Sequence, residues 1–171
     1  SRVLHYLIPL LSFALGVAAA EVIHIRYREA KHLHWRQLVL VVEILLLFGV
    51  GFIPNTLDLA ANALVSFACA MQVQAFRKVH GYPFASTMCI GNMRSGMESL
   101  VVYFHLHDKK VLHKALHYFG VILLFAIGAG VGAHCVGVFG NKTIWFSCAL
   151  LLVSLCFMFI QDEEEALKEK A

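Results

Sequence analysis

Long apolar runs, each closed by charged or polar residues, set the pattern of the chain. They fall at residues 3–25, 37–53, 57–76, 117–138 and 143–160. A helix needs about 20 mostly apolar residues to cross a bilayer, so five membrane helices are predicted. Residues 84–106 are also long enough to cross, but Ser86, Thr87, Gly91, Asn92, Arg94, Ser95, Gly96 and Glu98 interrupt them. That segment is predicted to be broken or re-entrant, since irregular backbone at membrane depth is tolerated only where protein buries it or water bathes it. The fold class expected is all-α, a polytopic helical membrane protein.

An internal match refines this picture. Phe13-Ala14-Leu15-Gly16 recurs as Phe125-Ala126-Ile127-Gly128, each time in an apolar run rich in small residues and each time followed by another such run. The basic start at Arg2 and the small residues Ala18-Ala19-Ala20 have the form of a secretory signal, but the recurrence makes the first run a permanent helix. Residues 3–53 then form the back half of one repeat and 57–160 a complete second copy. Residues 161–171 form an acidic cytoplasmic tail, and the whole of 1–171 is one membrane domain. On this offset, about 50–60 residues are expected ahead of Ser1.

Composition agrees with lipid as the solvent: 60% of residues are apolar and 15% charged, with a mean hydropathy of +0.73. A soluble domain carries about 25% charged residues. The net charge of +3 is too small to indicate nucleic acid as a partner. Its placement is more informative, because short cytoplasmic loops collect Lys and Arg. Basic residues cluster at Arg26, Arg28, Lys31 and Arg36, at Arg77 and Lys78, and at Lys109, Lys110 and Lys114. All three clusters lie on the cytoplasmic side if residues 84–106 dip in and return. The two Phe-Ala-x-Gly helices then run in opposite directions, as inverted repeats, an architecture many secondary transporters use together with broken helices.

Candidate chemistry is sparse. Glu43 lies in an otherwise uncharged run, where an acid must pair, protonate or meet water, which makes it a proton-linked candidate. The alternative is a hydrogen bond across a helix interface or toward Arg36. Gln72 and Gln74, with Asn62, put amides on the third run, where they line a polar path or bond neighbouring helices. Ser86 and Thr87 are expected to expose backbone amides at a half-helix start, with Gly91 and Asn92 at a turn near the midplane. The rival for that segment is an interfacial amphipathic helix greased by Val101, Val102, Tyr103 and Phe104. The small-residue pairs Gly16/Ala20 and Gly128/Gly132 read as a packing seam between repeats, with self-association into a homo-oligomer as the rival. The five cysteines, Cys69, Cys89, Cys135, Cys148 and Cys156, form no CxxC pair and read as buried thiols. Ten histidines lack ligand spacing free of lysine, so no metal or other cofactor is expected. No catalytic motif supports an enzyme.

The stretch from Ala70 to Ser95 resembles the YoaK family of multi-pass bacterial membrane proteins of uncharacterised function. Met71, Gln74, Arg77, Thr87 and Gly91 match its Met-Gly-x-Gln-Asn-Ala-like element, its Arg and its Thr-Thr-x-x-Thr-Gly element. Gln72, Ala75 and Ile90 depart from it, standing where the family has Gly, Asn and Thr. The resemblance implies a bacterial cytoplasmic membrane location and a transporter of a small solute or ion. Ser86, Thr87, Gly91, Asn92, Gln72 and Gln74 would then bind substrate and Glu43 would carry a proton. The alternative is a non-transporting subunit that binds a partner protein through its small-residue helix faces.

Overall fold

The structure is a computed structural model that describes residues 2–27, 34–79, 82–83 and 89–169. Apart from one short strand pair and brief turns these residues are helical. The helices are α1 (Arg2–Tyr27), α2 (Trp35–Val50), α3 (Asp58–Ala75), α4 (Cys89–Leu106), α5 (Lys109–Phe139) and α6 (Ile144–Glu169). Between α3 and α4, β1 (Lys78–Val79) pairs antiparallel with β2 (Tyr82–Pro83).

Local chemistry sets the helix ends. His34 begins α2: its ring nitrogen accepts from the Arg36 amide, while Gln37 Oε1 accepts from the His34 amide at 3.2 Å. Such reciprocal capping satisfies donors that the first turn leaves free. Between α4 and α5 the chain reverses at His107, held at φ 52°. Asp108 Oδ1 then accepts from the Lys110 amide at 2.9 Å, so α5 starts at its lysines, eight residues ahead of the predicted span. The turn from α5 to α6 (Gly140–Thr143) opens at Gly140 with φ +58°, where glycine is least strained. Beyond it, α6 continues through the acidic segment that the sequence reading set apart as a tail.

The chain forms two compact units, Ser1–Ala75 with Phe139–Ala171, and Phe76–Val138. In the first, α3 is the principal neighbour of α1, and α2 packs on both α3 and α6. Small residues permit this: Ala20, Ala68 and Ala70 are fully buried. A Cβ built on Gly16 would overlap the Phe67 carbonyl oxygen and the Ala70 methyl. Close backbone approach of this kind drives helix association where lipid, being as apolar as leucine, supplies no hydrophobic force. Across α2, α3 and α6, Leu47, Ala68 and Cys148 form a core with Val65, Ile144 and Leu151. The Trp145 indole fills the place a Gly51 side chain would take and lies against Phe48 and Phe52, with centroids 6.0 and 5.4 Å away.

In the second unit, α4 departs from expectation. It is one unbroken helix through Gly91, Asn92 and Gly96, so the predicted interruption at Gly91 and Asn92 is corrected. Helical spacing explains the polar letters: Asn92, Gly96 and Ser99 share one face and are buried. A Cβ on Gly96 would come within 3.3 Å of Tyr118 and Phe119 on α5. Ile90, Met93, Met97, Val101 and Phe104 form an exposed apolar stripe. Arg94 and Glu98 are exposed beside that stripe, so the outer surface of α4 is mixed.

Among the described residues two stretches are long and apolar enough to cross a membrane, Val3–Tyr27 and Lys109–Ile160, the second containing both α5 and most of α6. Only 11% and 22% of their most apolar windows are buried. By length and composition both can cross a membrane, and most of their apolar surface is exposed. The runs that become α2 and α3 do not reach that standard; α2 has 16 residues. The cysteines also differ from expectation, since Cys148 alone is buried and Cys156 is exposed on α6.

Candidate functional site

Helical periodicity forces a carboxylate into the first unit. On α2, Leu40, Glu43, Leu47 and Val50 recur every three or four residues and form its buried stripe. Glu43 belongs to that stripe and is 3% exposed. Its Oε2 is buried and has no hydrogen-bond partner among the described residues. The sequence reading offered Arg36 as one partner, but no ion pair joins the two among the described residues. The Arg36 guanidinium instead lies 5.6 Å from the centre of the Trp35 ring.

Glu43 faces a cavity of about 390 Å³. Each of three helices lends it one stripe: Glu43 and Leu47 from α2, Val65, Cys69 and Gln72 from α3, and Ile144, Ser147, Leu151 and Ser154 from α6. The seven-residue steps Val65 to Gln72 and Ser147 to Ser154 are two helical turns, so these side chains share a face. Both α3 and α6 run opposite to α2, the first through the short link at 51–57. The second is shown by Trp145 Nε1 donating to the Phe48 carbonyl at 3.4 Å and the Cys148 thiol meeting the Ile44 carbonyl at 3.9 Å. Along this register Leu47, Val65 and Ile144 lie toward one end of the cavity and Gln72 and Ser154 toward the other, with Glu43 and Leu151 between them. Ser147 and Ser154 are exposed, so the cavity reaches the surface along α6.

The sequence-predicted residues separate. Glu43 and Gln72 line the same cavity. Gln74 turns elsewhere and donates its amide to Glu21 of α1 at 2.5 Å, while Glu21 also meets His24 at 3.4 Å. Asn62, expected to bond a neighbouring helix, is exposed. Gly91 is exposed in the first turn of α4, with no atom near its Cβ position. Asn92 is buried within the second unit. Ser86 and Thr87 lie outside the described residues. Of the small-residue pairs, the Gly16 face is packed by α3, whereas nothing stands within 4 Å of a Cβ on Gly128 or Gly132.

Sequence reasoning missed Ser147, Ser154 and the position of Cys69. Two serines one heptad apart in an apolar helix were the available signal.

Neither a curated protein nor a solved structure matches the chain. The profile of a family described as a protein of unknown function (DUF1275) matches residues 1–157. With that share of its 171 residues matched, the chain belongs to the DUF1275 family.

Proposed function

We propose that this protein is a polytopic membrane transporter of a small solute or ion, with the three-helix cavity as its binding site and Glu43 as the charge-bearing group. One observation carries the reading: a carboxylate that is 3% exposed leaves an oxygen unpartnered toward a cavity of about 390 Å³. An acid placed so within an apolar helix is costly, and groups of this kind mark solute and ion paths. Flux from reconstituted vesicles across a solute panel tests it. Gln72→Leu is expected to slow flux about tenfold, the effect of one lost hydrogen bond. Gln74→Leu, which removes one hydrogen bond from Glu21 instead, should lower thermal stability while flux per folded molecule holds. Absence of flux for every solute, with a stoichiometric partner co-purifying, would favour the subunit reading, to which the uncovered Gly128 and Gly132 face lends support.

For orientation we propose that all three basic clusters and the C-terminus are cytoplasmic. Exposed Arg94 and Glu98 lie mid-helix in α4, and at the bilayer centre an Arg costs about 2.5–3.5 kcal/mol on insertion scales. On this reading α4 lies in the headgroup region with its apolar stripe toward lipid. Lys110→Cys should then react with an impermeant maleimide only from the cytoplasmic side. Labelling from outside alone would place α4 across the membrane.

A further inference from the structure

Resting on the reading of the cavity as a solute site, we infer that its occupant is a small organic ammonium ion with an apolar body, its cationic head at Glu43 and its hydrocarbon part against Leu47, Val65 and Ile144. The polar end offers acceptors: the free Oε2 of Glu43, the Gln72 amide oxygen, and Ser154 Oγ, whose proton is already given to the Leu150 carbonyl at 3.1 Å. Among the described residues no Lys, Arg or His lines the cavity, so an anion would meet the Glu43 carboxylate with no cation to offset it. A hard inorganic cation fits no better. Magnesium and calcium want six or more oxygens around them, whereas half of this lining is aliphatic and, among the described residues, Glu43 is its one carboxylate. A cavity of about 390 Å³ is of the size that holds small molecules, about 300–1,000 Å³. An ammonium ion would also supply the opposite charge that a buried carboxylate requires.

Calorimetric titration of the full chain in phosphatidylcholine nanodiscs tests this with cyclohexylammonium, methylammonium and cyclohexanecarboxylate. Cyclohexylammonium is expected to bind, methylammonium at least about tenfold more weakly because its apolar contact is lost, and the carboxylate not at all. Glu43→Gln should weaken cyclohexylammonium roughly thirtyfold or more, the scale for removing one partner of a buried charge pair. Equal binding of ammonium and carboxylate, no ammonium binding, or affinity unchanged in Glu43→Gln would overturn the inference. If the variant does not fold, the preference of the unaltered protein for ammonium over carboxylate decides alone. Glu43-dependent ammonium binding without vesicle flux would uphold the inference and defeat the transport reading. Flux of another solute that needs Glu43, with no ammonium binding, would do the reverse.

Discussion

Glu43→Met is expected to yield a protein that unfolds at a higher temperature and transports nothing. Burying a polar group whose hydrogen bonds are unmet costs about 1–3 kcal/mol by mutational measures, and Glu43 Oε2 is such a group. Methionine has similar length, no polar atom to satisfy and flexibility enough to settle among Leu47, Val65 and Leu151. The gain should be of that order, read as a rise in the melting temperature of the detergent-solubilised chain. Flux should vanish in the same variant, because the cavity loses the Glu43 carboxylate. A residue retained at a cost to stability is most simply retained for what it binds. A fall in melting temperature would instead mean that Glu43 holds the helices together, and the functional reading would lose its main support.

The second large effect concerns two glycines in the same local sequence. Gly16→Ala should destabilise the protein by about 1–3 kcal/mol, the cost of overpacking. The added methyl would overlap the Phe67 carbonyl oxygen, and a backbone atom cannot rotate aside as a side chain can. Relief requires α1 to withdraw from α3, loosening contacts around Ala20 and Ala70, which are fully buried. Gly128→Ala, by contrast, meets nothing within 4 Å and should gain up to about 1 kcal/mol from alanine's better helix propensity. Thermal unfolding of the two variants is therefore expected to move in opposite directions. Equal responses would show that the Phe-Ala-x-Gly repeat packs alike at both of its occurrences.

Much of this was legible before any coordinates. Glu43 stood out because a charge inside an apolar run is conspicuous, but which face of α2 it occupies, with Leu40, Leu47 and Val50, came from the fold. Gln72 was noticed for the same reason, but nothing local separated its role from that of Gln74. Two residues apart on a helix, they point about 200° apart, and what each meets depends on which helix lies on that side. The polar letters of residues 84–106 misled for a related reason. Read in order, they look like a break; wound at 3.6 residues per turn, Asn92, Gly96 and Ser99 become one seam.

What the sequence by itself determined is the set of helices and the chemistry each can present, because helical hydrogen bonds close within four residues and apolar length is a local property. Tertiary structure alone decided which faces meet. Cys148 reaches the Ile44 carbonyl across 104 positions of chain, and Ser147 and Ser154 join Glu43 and Gln72 around one cavity only because α6 returns beside α2 and α3. Two tetrapeptides alike in sequence end up with one glycine packed and the other bare, since packing depends on the partner surface and a run of residues does not encode its own neighbours.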